Sequence, residues 1–244
     1  MKNLLNLIIT SVVIVISCFD LAEAQSNPTA PMLDSLHLSR LWFDSTSSGG
    51  WKFKWSTDIM LAINDTTQTV DTLFVNESVP ETDTSIYFFD ENYKLLSIVG
   101  PYVSLSYSYN GSGGVHPICG TCYETYVPGS SDRVSLADLF DEDDIQHALL
   151  ADTLIQSHLT KKAPKDLNDL VNNLDGGCEM DLGDILTSFA VGAIDSDSVT
   201  INFGITHGCE LMRGNFTELT IRLPIPDDNR QMFVEARKNQ TVGW

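Results

Sequence analysis

The stretch NGSGGVHPICGTC, residues 110–122, sets His116, Cys119 and Cys122 beside four glycines, so imidazole and thiol chemistry stand within thirteen residues. Three chemistries suit those side chains. Zinc would take His116, Cys119 and Cys122, with His207 or Cys209 completing a tetrahedron. A thiol redox centre would use Cys119 and Cys122 as a Cys-x-x-Cys pair, which needs the first cysteine at a helix N-terminus that lowers its pKa. The third is structural, the oxidation of Cys119, Cys122, Cys178 and Cys209 into disulfides.

The start of the chain favours the third. Lys2, an apolar run over residues 4–16 and then SCFDLAEAQS have the order of a secretory leader, with Ala22-Glu23-Ala24 as the small-residue cleavage site. Residues 1–24 are therefore expected to be a signal peptide. An alternative reads Val15-Ile16-Ser17-Cys18 as a lipoprotein box, which would leave the chain lipid-anchored through Cys18. Exported thiols are oxidised more readily than they are reserved for metal. The Cys-x-x-Cys pair is followed by YETYV, which reads as a strand rather than a helix, so the redox reading loses its pKa device. The expected pairing is Cys119 with Cys122 and Cys178 with Cys209; the alternative joins Cys119 or Cys122 to Cys209. Gly113 and Gly114 make the turn, and His116 is expected to satisfy loop carbonyls. No metal, no cofactor and no catalytic residue is assigned. The chain carries no Gly-x-Ser-x-Gly elbow, His-Glu-x-x-His or phosphate-cradling Gly-x-x-x-x-Gly-Lys.

The elements that must position this stretch follow from periodicity. Residues 25–50 have the Ser, Pro, Asp and Gly content of a flexible arm. From Trp51 onward come short runs rich in aromatic and β-branched residues. The clearest alternates Val103 and Leu105 on one face with Tyr102, Ser104 and Ser106 on the other. Ile145, Ala148, Leu149, Ile155 and Leu159 form one helical stripe that begins on the acids Asp141 to Asp144 and ends at Lys161-Lys162 before Pro164. Those four acids read as a helix start and not a calcium loop, because the alternating oxygen ligands and glycine do not follow. A second short helix is expected around Asp166 to Leu174. Strands return in LTSFAVGAI, SVTINFGI and TELTIRLPI, with a turn at Asp195-Ser196-Asp197. The order strands, helices, strands predicts an α+β fold, a largely antiparallel sheet with helices packed on one face. The expected division is an N-terminal strand-rich part over 51–98, the main domain over 99–228 and a C-terminal tail over 229–244.

Several of these residues resemble a known family. Gly113-Gly114-Val115-His116 after a strand, Leu136-Ala137-Asp138-Leu139-Phe140 before a helix, and a late strand closing on Ile225-Pro226 are similar to the RsiV-like domain of unknown function. That domain forms the extracellular part of the anti-sigma factor RsiV and an accessory region of the peptidoglycan deacetylase PdaC. The resemblance covers about residues 95–226, with Val115 replacing the family's alanine and GITHGCELMRG replacing its Tyr-Glu-Ile-x-Pro-Tyr-Ala loop. It implies an RsiV-like fold and a sensing or binding module, in a family whose RsiV member recognises the basic protein lysozyme.

The net charge of −19 agrees in sign with a cationic partner and opposes nucleic-acid binding. No run beyond the leader approaches eighteen apolar residues, so no transmembrane span is expected in the mature chain. The expectation is an exported periplasmic or extracellular module that binds a protein or cell-wall ligand without catalysis. The alternatives are a cell-wall glycan hydrolase acting through an unidentified carboxylate pair and a zinc-binding exported protein. Asn64, Asn76, Asn110, Asn215 and Asn239 head Asn-x-Ser/Thr sequons, which would mark glycosylated loops in a eukaryotic host.

Overall fold

A computed structural model describes residues 44–76, 88–112, 117–161, 163–177, 182, 184–205 and 217–242. The expected leader, most of the expected arm, the residues Gly113, Gly114 and His116 of the expected turn, and Cys178 and Cys209 lie outside the described residues. Four strands come first: β1 (Asp44–Ser48), β2 (Trp51–Trp55), β3 (Ile59–Asn64) and β4 (Val70–Val75). Three longer ones follow, β5 (Phe88–Val99), β6 (Tyr102–Ser112) and β7 (Pro117–Tyr126). Helices α1 (Glu142–Ala151), α2 (Thr153–Ser157) and α3 (Leu167–Val171) precede β8 (Phe189–Ile194), β9 (Ser198–Ile205) and β10 (Thr217–Pro224), and α4 (Arg230–Lys238) comes last.

These elements make an α+β architecture in which every strand pair among the described residues is antiparallel. The one sheet expected from the sequence is instead three, ordered β1-β2-β3-β4, β5-β6-β7 and β10-β9-β8. Gly49 and Gly50, both at positive φ, supply the two-residue turn that sets Ser48 opposite Trp51. The boundary expected at 98/99 falls inside β5, which pairs with β6 through Val99, so it would cut a hairpin. The expected arm also loses its end, since residues 44–48 form β1.

Two cores hold the layers. The larger lies between the C-terminal sheet and the helices. It buries alternate residues of β9 (Val199, Ile201, Phe203, Ile205) and β10 (Leu219, Ile221, Leu223) against Ile145, Leu149, Ile155 and Leu170. The smaller joins the N-terminal and central sheets through Phe53, Met60, Ala62 and Phe74 on one side and Leu95, Ile98, Val103 and Leu105 on the other.

The acids at 141–144 do start a helix, with Glu142, Asp143 and Asp144 in its first turn, where the dipole favours them. The single stripe expected beyond it is broken at Asp152. That side chain accepts hydrogen bonds from the N–H groups of Leu154 (2.8 Å) and Ile155 (3.2 Å), starting α2 just after α1 ends. The expected tail over 229–244 is corrected as well. Residues 230–238 form α4, which buries Phe233 and Ala236 in the larger core. Thr241 then reaches back to β5: its carbonyl accepts from Ile98 N–H at 2.7 Å and its hydroxyl donates to the Ile98 carbonyl at 2.7 Å.

That return is part of how two strand edges, those of β5 and β8, are closed. An open strand edge needs partners for its N–H and C=O groups, and here these come from side chains and the C-terminal segment instead of a further strand. On β5, Thr241 covers Ile98, and the Asn76 side chain covers Tyr93 by accepting from its N–H (2.8 Å) and donating to its carbonyl (2.9 Å). On β8 the partners are hydroxyls of the central sheet. Ser97 donates to the Val191 carbonyl (2.7 Å), Val191 N–H donates to Ser104 (3.0 Å), and Thr125 donates to the Phe189 carbonyl (2.9 Å). Ser104 and Thr125 are 2.9 Å apart, and because the proton of Thr125 is committed to a carbonyl, Ser104 is the donor between them. The alternation read from Val103 and Leu105 is thus correct in period, yet both faces are buried there, with Ser104 1% exposed.

Candidate functional site

The stretch 110–122 falls on the β6–β7 hairpin. Pro117 to Cys122 are strand, not loop, with Asn110 opposite Cys119 and Tyr107 opposite Cys122. A strand turns successive side chains to opposite faces, so a spacing of three puts Cys119 and Cys122 on different sides of the sheet. Their α-carbons stand about 10 Å apart at about 3.3 Å per residue, beyond the roughly 7 Å limit of a disulfide. The expected Cys119–Cys122 bridge is therefore excluded, and one metal ion cannot take both thiolates. Cys122 is 1% exposed and disulfide-bonded; Cys18, Cys178 and Cys209 lie outside the described residues. Among the described residues, no three or more His, Cys, Asp or Glu side chains are grouped to hold a metal ion.

Beside Cys122 the structure assembles side chains that the sequence leaves apart. One face of the central sheet carries Glu91, Tyr93 and Leu95 from β5, Tyr107 and Leu105 from β6, and Cys122, Glu124 and Tyr126 from β7. The rings form a ladder: Phe74 of β4 stacks on Tyr93 at 5.8 Å between centroids, Tyr93 lies 4.6 Å from Tyr107, and Tyr107 lies 5.9 Å from Tyr109. The Tyr107 hydroxyl donates to Glu91 and the Tyr126 hydroxyl donates to Glu124. Tyr109 leans over Gly120, where a Cβ would stand 2.6 Å from its hydroxyl, so a side chain there would displace the ring.

The electrostatics of this face are those of groups taken out of water. Burial, only partly offset by Arg133, pushes the Glu124 carboxyl up to about 7. Glu124 as a residue is half-buried, so its carboxyl is largely but not wholly withdrawn from solvent. Burial raises Tyr93 far above the ordinary phenol range, with further contributions from Glu124 and then Glu91. Tyr107 is raised further still, by burial first and then by its hydrogen bond to Glu91. Both phenols therefore stay protonated and act as donors or apolar rings. Glu91 and Glu124 are the carboxylates this face offers for acid–base work, and each is already hydrogen-bonded to its own tyrosine.

The acids elsewhere are of another kind. Between residues 127 and 188 the sequence places thirteen Asp or Glu against four Lys or Arg. Asp141, Glu142 and Asp143 are exposed at the start of α1. Asp152 and Asp166 cap helices, and Asp169 is held below the ordinary carboxylate range, first by its hydrogen bond from Lys161 (2.8 Å) and then by the N–H of Lys165.

Two of the sequons are also structural. Asn64 accepts from the N–H groups of Thr66 and Thr67 in the β3–β4 turn, and Asn76 ties β4 to Tyr93. A glycan on the Asn76 amide would displace that tie.

Compared with protein-family models, characterised proteins and solved structures, the chain matches none of them. No helix among the described residues is long and apolar enough to cross a membrane.

Proposed function

We propose that the chain is an exported, non-catalytic module of the cell envelope that binds a cationic protein or wall-associated ligand through its acidic helical layer. The observation that carries this reading is the segregation of charge, thirteen acids against four bases over residues 127–188, with the first turn of α1 open to solvent. A field of one sign over one layer speeds encounter with an oppositely charged partner and fixes its orientation. The secretory leader supports the location, and the ordered motifs of the RsiV-like resemblance support a sensing role on an RsiV-like fold. The sheets supply a mount for that layer, with the edges of β5 and β8 closed by hydrogen bonds at Tyr93, Ile98 and Val191.

Lysozyme serves as the cationic probe. The mature chain should bind it with an affinity that falls as salt is raised from about 50 to about 300 mM, because exposed charges are screened over that range. The triple substitution Asp141→Asn, Glu142→Gln, Asp143→Asn should weaken that binding about tenfold. Binding indifferent to both salt and the triple substitution, or no binding at low salt, would overturn the proposal.

A further inference from the structure

The Glu124 carboxyl sits where the N-terminal and central sheets meet. Across the central sheet it continues the row Leu95 and Leu105, both in the smaller core, and its neighbour on the same face, Tyr126, packs against that core too. Polar ties across the seam include Asp71 of β4, which accepts from Gly129 N–H at 2.8 Å just beyond β7, and Asn76, which holds Tyr93. Trp51 lies against Gly129, where a Cβ would approach its ring to 3.3 Å. Withdrawn from water in the row of Leu95 and Leu105, the carboxyl fits such a seam better neutral than charged, because the charged form loses more on leaving water than the Tyr126 hydroxyl and Arg133 return.

We propose that Glu124 is a proton-operated latch between the N-terminal and central sheets: protonated, it lets the two sheets close over the smaller core, and ionised, it loosens them. The groups that act with it are Tyr126 on its own strand, Tyr107 on β6, Tyr93 on β5 and Arg133 in the segment after β7; Glu91 shares its face and is held by Tyr107, and Asp71 at the rim of the N-terminal sheet is held by Gly129 N–H. Lys52 and Lys54 alternate with the fully buried Phe53 and so leave from the opposite face of β2. Arg133 is thus the cation that opposes the shift, and the phenols hold their protons across the working range. The latch is independent of the acidic helical layer and would stand if that layer bound nothing.

Sign and size follow from the carboxyl. Its value is about 7 in the closed structure against 4.5 for the free side chain, so closure is full below pH 4.5 and weakens up to pH 7. Across that window the opening equilibrium should rise by up to about 300-fold, the factor for about two and a half pH units.

Trp51 and Trp55 pack against the smaller core and report on it. In the mature chain with Trp42→Phe and Trp244→Phe, their emission is followed from about pH 4 to about pH 8.5, and the Glu124 side-chain carboxyl is titrated by 13C NMR. The carboxyl should titrate near pH 7, with tryptophan emission shifting red about the same midpoint. Glu124→Gln, which keeps the neutral shape, should abolish the emission change, and Tyr126→Phe should move its midpoint. A carboxyl titrating below about pH 5.5, emission flat across the range, or an unchanged transition in Glu124→Gln would each overturn the latch. The carboxyl titration needs no variant at Glu124, so a misfolded substitution does not shield the proposal.

Discussion

The two faces of the central sheet both bury polar groups, but of different chemistry. Toward β8 it offers hydroxyls: Ser97, Ser104 and Thr125 answer the backbone of Phe189 and Val191, each proton has an acceptor, and none of these groups titrates in the physiological range. Toward the N-terminal sheet it offers carboxyls and phenols, Glu91 with Tyr107 and Glu124 with Tyr126, one of which changes charge near neutrality. A hydroxyl junction has one state. A carboxyl junction has two, and solution conditions choose between them.

The largest effects test whether the two junctions differ in their response to protons. Unfolding free energy of the parent chain should fall from pH 4.5 to pH 7 by up to about 3 kcal/mol from Glu124 alone, less the share screened at its open side. A Glu124→Gln chain should lack this slope, which compares directly with the parent in urea midpoints. The hydroxyl junction should behave oppositely. Thr125→Val keeps the shape but leaves the Phe189 carbonyl and the Ser104 hydroxyl without their partner, and urea unfolding should show a loss of about 2 kcal/mol. That loss should be the same at pH 5 and pH 8, and a pH-dependent loss would erase the distinction between the faces. The smallest effect belongs to Asn76→Ala, which removes the two hydrogen bonds to the Tyr93 backbone together with those to Asn92 and the Thr57 carbonyl, all at the solvent-facing rim. We expect about 1 kcal/mol, with faster hydrogen exchange at Tyr93 N–H as the local signature.

What the sequence discloses depends on whether the signal is local. Alternation discloses β6, and the spacing of Ile145 and Leu149 with acids ahead discloses α1. The Asp195–Asp197 turn is legible too, and in the structure Asp195 N–H meets the Ser198 carbonyl at 2.8 Å. The break at Asp152 is hidden, although Asp is an ordinary capping residue, because the apolar stripe runs across it. α4 is hidden because RQMFVEARK buries only Phe233 and Ala236, too narrow a stripe to stand out. Its available signal is the spacing of Met232, Phe233 and Ala236 with Arg237 and Lys238 in the last turn. Cys119 and Cys122 look bridgeable when their strand is begun at Tyr123; begun at Pro117, parity alone separates them. The tyrosine–glutamate face is not legible at all. It depends on register across three strands, which a bulge between Leu95 and Ser97 shifts by one residue, and no local pattern encodes that.

Thr241 and Ile98, whose hydrogen bonds close the β5 edge, are 143 positions apart in the chain. A contact of that separation forms late, after the hairpins and helices between have collapsed. A nascent or clipped polypeptide that stops short of Thr241 would therefore present Ile98 as an adhesive border for other chains, and the same few C-terminal residues that look dispensable on paper are what shields it from self-association.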